Sequence, residues 1–256
     1  MTEAPKANGG VQSVGRAFDV LEIMASADGP LALGELARRA GLPAPTIHRL
    51  AQTLAARGYV RQLPSRRYAL GSRLIRLGEA ATQLIGAWSR PHLAHLVQAT
   101  GETANMAVLD GTMATYVAQV PSEHAMRMFT EVGRRVYPHC TGVGKALLSE
   151  LPEGAVRTIV GRTGMPAQTA NTLVDLDALL TDLTRVRHRG FAIDDGEQEI
   201  GVRCYAVAVP DAPTPTAISV SGPAARITVE SAEHTVPLLK RVATELSAEF
   251  VLDAAL

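Results

Sequence analysis

Cysteine is almost missing from this chain: Cys140 and Cys204 are its only two in 256 residues. Two thiols cannot build a disulfide framework, and their scarcity fits a reducing, cytoplasmic setting. Aromatic residues make up 4% of the chain, and lysine occurs only as Lys6, Lys145 and Lys240. No run of about 18 apolar residues is present, which sets aside a membrane-spanning helix. The opening MTEAPKANGG lacks the basic-then-apolar order of a secretion signal. G-x-S-x-G, H-E-x-x-H and C-x-x-C are all absent, which removes the commonest hydrolase, zinc-protease and dithiol signatures. With 46% hydrophobic residues the chain is neither collagen-like nor disordered, and its length fits one large or two modest domains.

The formal net charge is zero, but it is unevenly laid out. Residues 1–90 carry a net +6 and residues 91–256 a net −6. That asymmetry points to a polyanion-binding module joined to something else. Within the basic third, Ser13 is a candidate N-cap for a helix to about Ala25, with Val14, Ala17, Phe18, Leu21 and Met24 as its apolar face. A short helix over Gly34–Ala40 follows, then the tight turn Gly41-Leu42-Pro43. A third helix runs from Ala44 to Arg57. Two short helices joined by a Gly-containing turn form the helix-turn-helix pattern.

The third helix has two unlike sides. Ile47, Leu50, Ala51 and Leu54 share one stripe, while Pro45, Arg49 and Gln52, flanked by Thr46, His48 and Thr53, share the other. An apolar inner stripe backed by Arg, Gln, His and Thr suits a helix laid in a major groove, where Arg reads guanine and Gln reads adenine. Taken alone, such a face is more often a solvated one. Tyr59–Gln62 and Arg67–Leu70 then read as a hairpin with Arg66 and Arg67 at its tip, a basic wing that would sit over phosphates or a minor groove of double-stranded DNA.

The segments QSVGRAFDVLE, LGELARRAGLPAPTIHRLAQTLAARGYV and RYALGSRLIRLG resemble the N-terminal domain of IclR-type bacterial transcriptional regulators. One departure stands out: the family usually has a polar residue before the Thr of the recognition helix, where this chain has Ala44-Pro45. HCTGVGKALLSEL and GFAIDDGEQEIGVRCYAVAV…AISVSGP resemble the same family's ligand domain. The expected organisation is a disordered tail (1–11), a winged helix-turn-helix (12–71), a linker helix (72–90) and an effector-binding and oligomerisation domain (91–256). The fold class is α+β, and the resemblance implies a GAF-like mixed antiparallel sheet with helices in the last domain. It also implies a dimer or dimer of dimers built partly through the linker helix.

Residues 91–256 themselves read as mixed helix and strand. Helices are expected near 92–100, 144–150, 155–160, 176–189 and 229–252, and strands near 103–109, 115–120, 190–193, 201–209 and 217–221. Thr141-Gly142-Val143-Gly144-Lys145 fails as a phosphate loop, because His139 stands where its first Gly should be and Ala146 replaces the Ser/Thr. It still offers free N–H groups at a helix start, which suit a carboxylate; a plain N-cap by Thr141 has the same geometry. The resemblance assigns the backbone of Gly142 and Val143 to the effector. It adds Asp194, Val202, Cys204, Ser219 and Ser221 to the pocket. Met126, Met128 and Phe129 are candidates for an apolar lid, although single residues of these types more often belong to a core.

The combined reading is a ligand-responsive DNA-binding regulator, a repressor of a catabolic operon, without cofactor or metal and without catalytic residues. Its effector is a small organic acid, a short keto-acid or an aromatic hydroxy-acid. The carboxylate is expected at Gly142 and Val143, and Asp194 at the far end accepting from a hydroxyl or amide. The rival reading is a thiol- or metal-dependent enzyme, or a redox sensor, fused to a DNA-binding module. It rests on Cys140, Cys204 and His139, and on the i, i+3 pair His92/His95, which is too few ligands for zinc.

Overall fold

The computed structural model describes residues 11–85, 87–128 and 130–253, with backbone only at 82–85, 87 and 251–253. Residues 1–10 of the expected tail (1–11) and the lid residue Phe129 lie outside the described residues. The chain divides into two compact units after Ala81.

The first unit holds α1 (Gln12–Ala25), α2 (Leu33–Ala40), α3 (Ala44–Ala56), β1 (Val60–Gln62) and β2 (Tyr68–Leu70), and α4 (Arg73–Ile85) begins in it. Gly41, left-handed at φ 61°, ends α2, and proline sits in the first turn of α3, where a missing N–H costs nothing. The strands pair antiparallel with Val60 opposite Leu70, and Leu31 bridges Tyr68 beside them. Gly71 is required by close approach: a methyl there would collide with the carbonyl of Gly58. Arg66 at the wing tip is left-handed, at φ 59°.

Val20, Met24, Leu36, Ile47, Ala51, Leu54, Val60 and Tyr68 form the core of this unit. Two expectations for α1 need correction. Val11, not Ser13, is the N-cap, and no side chain caps the helix. The buried residues of α1 are Val20 and Met24, while Val14 and Phe18 are 51% and 62% exposed. Its apolar arc is wider than one core contact can cover.

The second unit is built on a six-stranded antiparallel sheet in the order β5-β4-β3-β8-β7-β6. The strands are β3 (Thr103–Asp110), β4 (Met113–Val120), β5 (Arg135–Val136), β6 (Ala192–Asp195), β7 (Val202–Val209) and β8 (Thr216–Pro223). One face packs Met106, Tyr205, Val207, Ile218 and Val220 against α5 (Arg90–Thr100) and α9 (Ala232–Asp253). The other carries Ala107, Ala192, Ala206 and Ala217 beneath α6 (Gly142–Ser149). Behind α6, Leu148 packs with α7 (Glu153–Thr163) and α8 (Leu176–Arg189). The α+β class is as expected. β5 was not anticipated, since two residues show no alternation. Pro91 opens α5 from within its first turn.

Candidate functional site

On α3 the structure separates the two expected faces. Ile47, Ala51 and Leu54 are buried, and Pro45, His48, Arg49, Gln52 and Thr53 are exposed, with Thr46 half-buried. The Thr53 hydroxyl is partly spoken for, donating to the Arg49 carbonyl at 2.8 Å. Thr46, Arg49 and Thr53 also border a recess of about 800 Å³, whose apolar wall comes from Val14, Ala17, Phe18 and Leu21 of α1 and Leu74 and Leu77 of α4. In the wing, Arg66 and Arg67 are both exposed, but Arg67 donates to the Pro30 carbonyl at 3.1 Å. The guanidinium of Arg67 therefore braces the wing to the segment just before α2, and Arg66 is left at the tip.

In the second unit, strand alternation puts Asp194, Cys204, Ser219 and Ser221 on the sheet face beneath α6. Asp194 pairs with Cys204 and Cys204 with Ser221, so three strands deliver them in one row. All four are buried. Val202, half-buried, is on the same face one repeat before Cys204. Thr141 caps α6, its hydroxyl oxygen accepting from the Gly144 N–H at 3.2 Å and its carbonyl from Lys145. The N–H groups of Gly142 and Val143 remain among the donors that a helix cannot satisfy internally. α6 starts two residues earlier than expected because its glycines permit contact. A methyl on Gly142 would sit 2.7 Å from Cys204 Sγ, and one on Gly144 would strike the backbone of Pro138.

Met128 is half-buried, and its carbonyl accepts from Thr103 Oγ1 at 3.4 Å. Met126 is 74% exposed and is not part of an apolar lid. Asp194 also differs from expectation. Its Oδ1 accepts from the N–H groups of Glu197 and Gln198 at 2.8 and 3.3 Å, so one oxygen already holds the 194–198 turn. Burial pushes its carboxyl up to about 7, with the Glu197 charge adding and those two N–H groups and Lys145 opposing.

Residues the sequence reading passed over complete the surroundings. Lys145 is buried and its ammonium donates to Asp182 at 2.9 Å and Glu197 at 2.5 Å; it is a structural counter-ion, not a phosphate lysine. Asn105, Gln119 and Tyr116 lie on the same sheet face, and burial raises the Tyr116 hydroxyl. The available signal was a polar Asn in the otherwise apolar run TANMAVL. Both thiols are pushed up to about 12, chiefly by burial, the reverse of an activated nucleophile. His92 is engaged with Glu245 and Glu249, and no metal-binding cluster occurs among the described residues. No described helix is long and apolar enough to cross a membrane.

Comparison with known proteins agrees with this layout. Residues 13–64 match the IclR helix-turn-helix domain, and residues 80–248 match the bacterial transcriptional regulator IclR C-terminal domain. The transcriptional repressor IclR of Escherichia coli K12 is 38% identical over 248 residues, covering 94% of this chain and 90% of that protein. The acetate operon repressor of Salmonella typhimurium is 37% identical, covering 96% of this chain and 92% of its own. Among solved structures, an IclR transcriptional regulator from Alicyclobacillus acidocaldarius superposes with a TM-score of 0.82 at 29% identity, over 93% of this chain and 98% of that one.

Proposed function

The chain belongs to the IclR family and is a DNA-binding transcriptional regulator rather than an enzyme, and from this we propose that it is a cytoplasmic repressor of a catabolic operon, released or engaged by a small organic acid. The observation that carries the DNA reading is the exposed row Pro45, His48, Arg49 and Gln52, set opposite buried Ile47, Ala51 and Leu54. Arg49 and Gln52 read base edges, and Arg66 at the wing tip neutralises a phosphate.

One winged helix offers a small interface, so a specific operator takes two half-sites related by protein symmetry. We assign the second half-site to another copy of this chain, in a homodimer or dimer of dimers. The apolar recess walled by α1 and α4 supports this, since Phe18 and Leu77 are more than half exposed on it. The effector is assigned to residues 91–256, with its carboxylate on the N–H groups of Gly142 and Val143 and with Val202, Cys204, Ser219, Ser221 and Met128 around it. It shifts DNA affinity only as far as it binds one arrangement of the dimer better than the other.

Selection from a random duplex pool, followed by gel shift, tests the DNA reading. A two-fold symmetric sequence should emerge. Arg49→Ala should cost about 1–3 kcal/mol and relax preference at one position per half-site. Arg66→Ala should weaken binding to every sequence and reduce the salt slope by about one. If no sequence is enriched, or Arg49→Ala leaves affinity and preference intact, the groove assignment is wrong.

A further inference from the structure

The start of α3 is poor in hydrogen-bonding groups. Pro43 is its N-cap and Pro45 lies in its first turn, so neither residue has a backbone N–H. The next two N–H groups are spent inside the helix: those of Thr46 and Ile47 donate to the Pro43 carbonyl at 2.9 and 3.1 Å. Of residues 43–47, that leaves the Ala44 N–H. No side chain makes up the loss, because Pro43, Ala44 and Pro45 are all exposed and all apolar. A helix start ordinarily grips a phosphate through several free N–H groups. This one presents a small hydrocarbon surface instead.

Helical geometry puts that surface on the base-reading side. Arg49 and Gln52, four and seven residues after Pro45, return to its face of α3, opposite the buried Ile47, Ala51 and Leu54. In a helix-turn-helix the N-terminal residues of the second helix meet base edges, so Pro45 enters the groove ahead of Arg49. The major-groove edges of the four bases offer an apolar side chain one partner, the C5 methyl of thymine; the other features there are donors and acceptors. Against those the pyrrolidine ring would strip bound water and give no hydrogen bond in return. The rise from Pro45 to Arg49 is about 6 Å and base pairs stack about 3.4 Å apart, so the two residues address positions within about two base pairs of each other.

We propose that Pro45 reads a thymine methyl in each half-site, within about two base pairs of the position read by Arg49. The feature recognised is the methyl itself, so 5-methylcytosine is equivalent to thymine at that place. The inference rests on the reading of α3 as the groove helix, and it adds to that reading a specificity contact that is not a hydrogen bond.

Gel shift with the full chain tests it, on duplexes carrying the sequence selected from the random pool. Each selected thymine near the Arg49 position is replaced in turn by uracil, which differs only in lacking the methyl. Loss of one buried methyl should weaken binding roughly fourfold for one half-site and roughly fifteenfold when both are changed. Cytosine there should bind more weakly than thymine, and 5-methylcytosine should recover part of the difference. With Pro45→Ser the thymine and uracil duplexes should bind alike within about twofold, while the preference that depends on Arg49 is kept. A proline that only started the helix would leave the thymine-to-uracil ratio the same in the variant, and the comparison on the parent decides alone if the variant does not bind. If no selected thymine lies in that span, if uracil binds the parent as well as thymine does, or if Pro45→Ser keeps the parent's ratio, the methyl contact is overturned and the groove reading stands. If the selection enriches no sequence, the groove reading fails and this inference with it.

Discussion

Asp194 keeps a proton close to neutrality because its carboxyl is buried faster than its neighbours can compensate, and that has a direction in pH. Its folded value of about 7 lies above the ordinary 3.8, so the folded chain holds a proton that the unfolded chain has released. The stability tied to that proton is complete below about pH 4 and is lost as pH rises through about 7, at most about 4 kcal/mol. Asp194→Asn keeps a carbonyl oxygen for the Glu197 and Gln198 N–H groups and removes the titration. Its melting temperature relative to the parent should therefore climb between pH 4 and pH 7 and level off above. An offset that is flat with pH would show that Asp194 is charged throughout.

Among the elements, α6 carries the most and advertised itself least. Lys145 on its buried side answers Asp182 of α8 and Glu197 of the loop between β6 and β7. Lys145→Met would leave two largely buried carboxylates facing each other, a loss of about 3–5 kcal/mol in urea denaturation; a loss under about 1 kcal/mol would place the trio in solvent-like surroundings. α8 by contrast was legible to the residue, Leu176–Arg189, because its signals are local. Asp175 caps the Ala178 N–H at 2.9 Å and Gly190 ends it left-handed at φ 74°. The start of α6 is set by Pro138 and Cys204, a contact no local pattern encodes. Likewise α1 declared its apolar residues but not which of them the core would take. In the second unit, Asp194, Cys204, Ser219 and Ser221 were named from resemblance and share one face. Asn105, on that face too, was not, because its cross-strand neighbour Ser219 lies far along the chain.

At the scale of the molecule, the charge division was readable in the sequence and corresponds to a basic winged helix and an acidic sheet unit. What composition could not supply is the number of copies that act together. Val14, Phe18 and Leu77 are 51%, 62% and 53% exposed around the recess in the first unit, an apolar concentration that water does not favour. The chain should therefore run as a dimer or larger in light scattering at micromolar concentration. Phe18→Asp should shift it toward smaller species and weaken operator binding far more than binding to a single half-site. A parent that is a stable monomer yet binds its full operator tightly would refute the pairing.

Arg66 carries a consequence of another kind. A left-handed backbone at φ 59° is a conformation in which glycine would be more comfortable, by about 1 kcal/mol. The arginine therefore holds its cation at the wing tip at the expense of a more relaxed chain, so that this one position sets backbone comfort against the charge the tip presents.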